Sequence, residues 1–267
     1  MTSPGPRKNN QKRTATSAVQ KSTSWGAVAP WYHEHLEKPD TYHEMVIKPN
    51  LLRVVNSKGL RILDLACGEG YLTRALEDAG AIIDGADIAA PLVALAEKSR
   101  PRSKYYVASA DKLFFAANST YDVVTCTLAL QNMEHLEPVI EEVSRVLKPG
   151  GRFVAVINHP SFRIPHHSSW GWDEKTKRQY RRIDAYLSAK KEKMEMTPGT
   201  EGGRLTISFH RSLQDHMKTF AKGGLSIIKI EEWISHRTSE KGPRTLAEDF
   251  ARKEFPLFMM IELKKFV

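Results

Sequence analysis

Apolar positions fall into two alternating patterns along much of the chain. Short apolar runs mark strands at 61–65, 81–86, 104–108, 121–126 and 152–157, and apolar residues recur at helical spacing between several of them. Val139, Ile140, Val143, Val146 and Leu147 trace one helix, Pro91 opens another, and a third runs from about 71 to 77. Lys148-Pro149-Gly150-Gly151 is a turn before the fifth strand. This alternation predicts a doubly wound α/β fold, a parallel sheet with helices on both faces. Two helices precede the first strand, an aromatic one through Trp31 and Tyr32 and one over 42–55 that tolerates Pro49. They predict an N-terminal helical cap.

The pattern changes after Ile157. Residues 158–202 are polar, aromatic and basic without a clear period, and read as an insertion or lid over a substrate. Order returns with a strand at 204–209 and a helix capped by Ser212, with Asp215 three residues on and Leu213, Met217, Phe220 and Ala221 on one face. Gly223-Gly224 ends that helix. A strand at 225–233, a helix from Pro243 and a strand at 257–263 complete a domain spanning 25–267. No internal repeat is visible.

Composition changes the picture at the N-terminus. Of the net charge of +9 over 267 residues, residues 1–25 hold Arg7, Lys8, Lys12, Arg13 and Lys21 with no acid. The tail, 1–24, is too poor in large apolar residues to offset its chain entropy and is expected to be disordered. It is a solvated tail first, and a basic targeting or nucleic-acid arm second. At 41% apolar and 27% charged the chain as a whole has an ordinary soluble composition, and no apolar run nears the roughly 18 residues of a membrane span. The two cysteines, Cys67 and Cys126, form no CxxC or Cys/His frame, which fits a reducing cytoplasm and argues against a zinc site.

Candidate chemistry sits in Ile62-Leu63-Asp64-Leu65-Ala66-Cys67-Gly68-Glu69-Gly70-Tyr71, a strand that enters a glycine loop and opens a helix. Gly68 and Gly70 let the backbone turn and approach a ligand closely. Asp87, nineteen residues past Gly68 at the end of the second strand, can accept both hydroxyls of a ribose. A nucleoside cofactor is implied. Against a nicotinamide dinucleotide, Thr73 stands where G-x-G-x-x-G needs Gly or Ala, and Asp64 places a negative charge where a pyrophosphate would approach. That carboxylate suits a cofactor with a cationic end, an ammonium and a sulfonium, which describes S-adenosyl-L-methionine.

Asp64 to Gly70, Asp87, Ser109-Ala110-Asp111, Tyr121-Asp122-Val123-Val124 and Leu147-Lys148-Pro149-Gly150-Gly151 together resemble the successive motifs of class I S-adenosylmethionine-dependent methyltransferases. They are closest to the type 11 group, to which ubiquinone-biosynthesis methyltransferases are similar. The resemblance covers about 60–157 by motif and 205–264 by element order. It implies a Rossmann-like sheet of seven strands, mostly parallel, with the last strand antiparallel. It also implies a cofactor site in which Asp64, Ala66, Gly68 and Gly70 meet the methionine end and Asp87 and Ile88 the ribose side. Ala110 and Asp111 would border the adenine, Thr127 and Leu128 would line the methyl-transfer face, and Tyr32 would cover the cofactor.

Methyl transfer from a sulfonium is an in-line displacement, so a protein base is optional, and a hydroxyl acceptor benefits from one. His159, just after the fifth strand, and His135, after the fourth, are candidate bases, because open α/β sheets bind ligands at the carboxyl ends of their strands. His159 is the first choice; a turn in which it caps the backbone is the competing reading. Phe162, Arg163, Trp170 and Tyr180, with Arg181 and Arg182, are candidates to hold a planar or anionic small-molecule acceptor. For Lys190, Lys191 and Lys193 a helix with a solvated basic face is the better expectation. No Asn-Pro-Pro-aromatic tetrad follows the fourth strand, which weakens base-flipping chemistry, and no acidic cluster there suggests a magnesium ion. His33-Glu34-His35 and His166-His167 read as solvated histidines, and the thiol of Cys67 as an inert filler. The expected activity is metal-independent methylation of a small molecule. An RNA or protein methyltransferase and a non-catalytic cofactor-binding protein are the alternatives.

Overall fold

The computed structural model describes residues 24–100, 103–196, 203 and 205–266, so most of the basic tail and 197–202 of the insertion lie outside it. Five strands, β1 (Arg61–Leu65), β2 (Ile82–Asp87), β3 (Lys104–Val107), β4 (Tyr121–Thr127) and β5 (Leu147–Asn158), run parallel. With β10 (Leu225–Trp233) and β11 (Phe258–Lys265) they form a seven-stranded sheet in the order β10-β11-β5-β4-β1-β2-β3. Only β11 runs against the others, antiparallel to both β5 and β10. The strand order reverses direction between β1 and β4, and the crevice over their carboxyl ends is where such sheets take ligands.

Burial on both faces explains why these strands read as near-continuous apolar runs. Side chains alternate across a strand, so Leu63, Val124 and Phe153 pack into one cluster while their neighbours Ile62, Val123 and Val154 pack into the other. Helix α5 (Leu136–Val146) covers the first face through Val139, Ile140, Val143 and Val146, joined by Phe220 of α6 (Leu213–Lys222). Helices α2 (Lys48–Val55) and α3 (Tyr71–Asp78) cover the second through Leu51, Val54, Val55, Leu72 and Leu76. Each fully buried Leu or Val contributes about 1.5–3 kcal/mol of transfer free energy.

Several elements match their local signals. The Ser212 cap holds: its Oγ accepts from the Asp215 N–H at 3.3 Å and donates to the Asp215 carboxylate at 2.8 Å. The expected helix over 42–55 begins as a π-helical turn, His43–Ile47, and becomes α2 at Lys48. A proline inside a continuous α-helix would leave a carbonyl unpaired and crowd it; the wider turn upstream puts Pro49 in the first turn of α2, where no N–H is needed. Ahead of it, α1 (Ala29–Leu36) forms the rest of the cap.

The insertion departs from expectation. It consists of two antiparallel ribbons, β6 (Ser168–Asp173) with β7 (Arg178–Ile183) and β8 (Lys190–Glu195) with β9 (Leu205–His210). Lys190, Lys191 and Lys193 therefore lie on a strand, not on a helix. The strand expected at 204–209 is β9, which pairs with β8 rather than with the main sheet. Period-2 signals are weak here because β7 and β8 alternate half-buried and exposed polar residues instead of apolar and polar ones. Among the described residues no helix is long and apolar enough to cross a membrane.

The loop between β1 and α3 is held from behind. Gly70 has φ +81, and a Cβ there would stand 3.0 Å from Tyr105 Oη and 3.1 Å from Ala96 Cβ. Gly70→Ala is expected to cost at least about 1–2 kcal/mol from the left-handed backbone alone, read as a lower urea midpoint at unchanged slope. A midpoint equal to that of the unsubstituted protein would show that the loop accommodates a side chain.

Candidate functional site

Strand β1 ends in a tight loop whose conformation is set by its own residues. Ala66, Gly68 and Gly70 all adopt positive φ, at 57°, 58° and 81°. Leu128, beyond β4, does the same at 52°. Positive φ at Ala and Leu stores backbone strain, which clusters at ligand sites. The Asp87 carboxylate at the end of β2 ties the loop down by accepting from Gly68 N–H at 2.9 Å, and its other oxygen accepts from Ala89 N–H at 2.8 Å. The Cys67 N–H adds a bond to Ala86 O at 3.1 Å.

A cavity of about 330 Å³ opens over the carboxyl ends of β1, β2, β3 and β4. Its walls include Tyr32, Ala66, Gly68, Asp87, Ile88, Ala110, Asp111, Thr127, Leu128 and His135, so ten of the positions singled out from sequence converge on it. Asp87, Asp111 and Glu134 line it, and among the described residues no Lys or Arg does, although the chain carries +9. The Thr127 hydroxyl is buried there with no hydrogen-bond partner among the described residues.

Asp64 faces a narrow space of about 40 Å³ that shares Tyr32, Ala66, Gly68 and Thr127 with the main cavity. Its carboxylate accepts from Thr73 Oγ1 at 2.6 Å and from Thr125 Oγ1 at 3.0 Å. Burial raises its pKa to about 6, against the pull of the two hydroxyls. Burial also raises Asp87, partly offset by the backbone N–H groups it accepts from. His43, beside Asp64, falls to about 4 through burial and stays neutral near pH 7. The Tyr32 phenol is pushed upward by burial and then by the charges of Glu69, Asp87 and Asp64, so it remains protonated. Burial holds the Cys67 thiol well above its ordinary range, in keeping with an inert filler.

Three expected positions stand elsewhere. Gly70 lies behind the loop as a packing position, against Tyr105 and Ala96. His159 is buried and does not line the cavity: its Nε2 pairs with Glu232 at 2.7 Å, its Nδ1 accepts from Ser161 N–H at 3.2 Å, and its ring stacks on Phe162. Both ring nitrogens are thus engaged, and the bond from Ser161 N–H is the geometry of the capping turn. Tyr180 lies over Gly171 on the β6–β7 ribbon, 47% exposed, while Phe162, Arg163 and Trp170 line a second cavity. His33 is no free surface histidine either, since its Nδ1 meets Glu69 at 3.1 Å.

Some site residues carry no sequence signal that singles them out. Trp25 walls the main cavity and meets Tyr32 edge-on with ring centroids 5.4 Å apart. Glu69 is fully buried and held by Arg74 at 3.0 Å, which locks the loop to α3. Thr73 was readable, since it departs from the dinucleotide pattern at the position that anchors Asp64.

Comparison with known proteins agrees with this geometry. Residues 63–155 match the methyltransferase domain family of type 11. A demethylmenaquinone methyltransferase from Renibacterium salmoninarum is 34% identical over 105 residues, 39% of this chain and 44% of that protein. A ubiquinone biosynthesis O-methyltransferase from Xanthomonas oryzae is 32% identical over 105 residues, 38% of this chain and 44% of that protein. The chain thus spans less than half the length of these curated relatives. The crystal structure of an S-adenosylmethionine-dependent methyltransferase from Mesorhizobium loti superposes with a TM-score of 0.65 at 26% identity, covering 83% of this chain and 99% of that one.

The residues present fit a cationic, phosphate-free nucleoside, with an unpartnered hydroxyl at Thr127, carboxylates at Asp64 and Asp87, and no Lys or Arg in the walls among the described residues. An ammonium beside Asp64 requires the ionised carboxylate. Affinity for S-adenosylhomocysteine should therefore be flat above pH 7 and fall as the pH drops through about 6. Asp64→Asn should weaken binding at pH 7.5 and flatten that profile. A wild-type profile level from pH 7.5 to 5 would contradict the role given to Asp64.

Proposed function

We propose that this chain, which carries a class I S-adenosylmethionine-dependent methyltransferase domain of the type 11 group, moves a methyl group from that cofactor to a planar small-molecule acceptor of the quinone or phenol type. The observation that carries this reading is the acidic cavity at the topological switch point, closed by aromatic residues of the N-terminal cap. Relatives named for demethylmenaquinone and ubiquinone methylation support the acceptor class.

When bound, the cofactor supplies an electrophilic methyl group on a sulfonium. Asp64 holds a cationic amine, and Asp87, fixed by two backbone N–H groups, presents its remaining lone pairs to ribose hydroxyls. Ile88 and Ala110 offer apolar surface to the base, with Asp111 beside it. Thr127 and Leu128 define the face from which the acceptor approaches, and Trp25 and Tyr32 exclude water from it. Positioning of this kind can supply roughly 7–11 kcal/mol of the barrier when the reacting atoms are aligned. His135, exposed at the N-cap of α5 and on the cavity wall, is the base we assign to take the acceptor's hydroxyl proton. The proposed transfer is metal-independent, the sulfonium itself activating the methyl group.

Incubation with S-adenosylmethionine and a panel of catechols, hydroxybenzoates and quinols should release S-adenosylhomocysteine together with a methylated acceptor. His135→Ala should lower kcat by about 10²-fold with S-adenosylhomocysteine affinity unchanged. An undiminished kcat would remove His135 from the mechanism. Tight cofactor binding with no transfer to any acceptor would favour the non-catalytic reading.

A further inference from the structure

Beyond β5 the chain builds a second cavity, of about 260 Å³, whose polarity is the reverse of the first. Its walls are the rings of Tyr42, Phe162, Trp170 and Phe255 and the side chains of Arg163 and Arg181, with no acidic residue among them. Arg181 is fixed in place. Its Nε donates to Phe162 O and its Nη2 to Ser168 Oγ, both at 2.8 Å, and its guanidinium lies over the Trp170 ring at 5.1 Å. Arg163 is different. Its guanidinium rests over the Phe258 ring at 5.3 Å, and among the described residues no oxygen accepts a hydrogen bond from it.

The surroundings offer Arg163 no neutralising charge. Burial and then Arg181 both disfavour its cationic form, with only the Tyr42 phenol opposing. Beyond Tyr42, Arg237 lies over its ring at 4.9 Å, and the acid there, Asp40, is engaged with His236 at 2.8 Å. The acid behind Phe162, Glu232, is engaged with His159. Arg163 is half-buried, and a guanidinium partly withdrawn from water with no oxygen partner among the described residues keeps donors free for a ligand; its planar fork matches a carboxylate. The four aromatic walls select a flat molecule to carry that carboxylate.

The cavity also adjoins the cofactor site through neighbouring residues. Tyr42 faces it while His43 faces the space beside Asp64. Leu257, on its wall, packs on the same apolar cluster as Leu128, on the wall of the main cavity.

We propose that the cavity of Arg163, Arg181, Phe162 and Trp170 is a carboxylate subsite that takes a planar aromatic acid, the guanidinium of Arg163 pairing with its carboxylate. As the place where the acceptor's anionic end is held, the subsite rests on the methyl-transfer reading; as an anion site, it does not.

The test titrates the full chain with benzoate, its neutral isostere benzamide and inorganic phosphate, by calorimetry and by Trp170 fluorescence, alongside S-adenosylhomocysteine. Benzoate should bind at least about tenfold more tightly than benzamide, and Arg163→Gln should abolish that margin at unchanged S-adenosylhomocysteine affinity. If Arg163→Gln fails to fold, Arg181→Gln should lower benzoate affinity in the same direction. The proposal is overturned if benzoate does not bind, if benzamide binds equally well, if the folded variant keeps benzoate affinity, or if phosphate alone binds through Arg163. Benzoate binding without S-adenosylhomocysteine binding would leave the subsite standing and sink the methyl-transfer reading.

Discussion

The site depends on a pair of carboxylates buried side by side at the carboxyl ends of β1 and β2 with no basic residue to neutralise them. Asp87 is held by the N–H groups of Gly68 and Ala89, and Asp64 by the hydroxyls of Thr73 and Thr125. Burying an ionised carboxylate is costly unless its oxygens are hydrogen-bonded, and here the donors come from the loop, from α3, from β4 and from the residue after the β2 end. The same bonds that make the charges tolerable also shape the loop. Gly68 cannot leave its left-handed conformation without losing its bond to Asp87, and α3 begins where that loop ends.

From this constraint follows a division of charge that the chain's net +9 conceals. Among the described residues, the first cavity has three acids and no Lys or Arg in its walls, while the cavity beyond β5 has two arginines and no acid. A cation-bearing nucleoside and an anionic flat molecule would each find its complement, and neither would be welcome in the other's place. Complementarity of this kind contributes more to specificity than to raw affinity.

Much of this was legible before any coordinates. Repeated strand and helix periods gave the central sheet, because strands buried on both faces write continuous apolar runs. The glycine loop and Asp87 gave the cofactor cavity, because backbone close approach and ribose recognition each require particular residue types at particular spacings. The insertion was legible only at β9, whose Leu205, Ile207 and Phe209 alternate with polar residues; β7 and β8 are mostly polar along their own length, so hydrophobic periodicity has little to report there. Of the two contacts of the His159 ring, the one from Ser161 belongs to the local turn that the sequence offered, whereas Glu232 is brought to it by tertiary packing that local sequence does not encode. Trp25 and Glu69 escaped notice likewise, one reaching the cavity only through the fold of the cap and the other through its pairing with Arg74 and His33.

Calorimetric titration at pH 7.5 with S-adenosylmethionine and, separately, with NAD and ATP tests the electrostatic claim most directly. A cavity governed by Asp64 and Asp87 binds the sulfonium nucleoside and rejects both phosphate-bearing ones. Uptake of NAD or ATP by a protein indifferent to S-adenosylmethionine would contradict the account at its root.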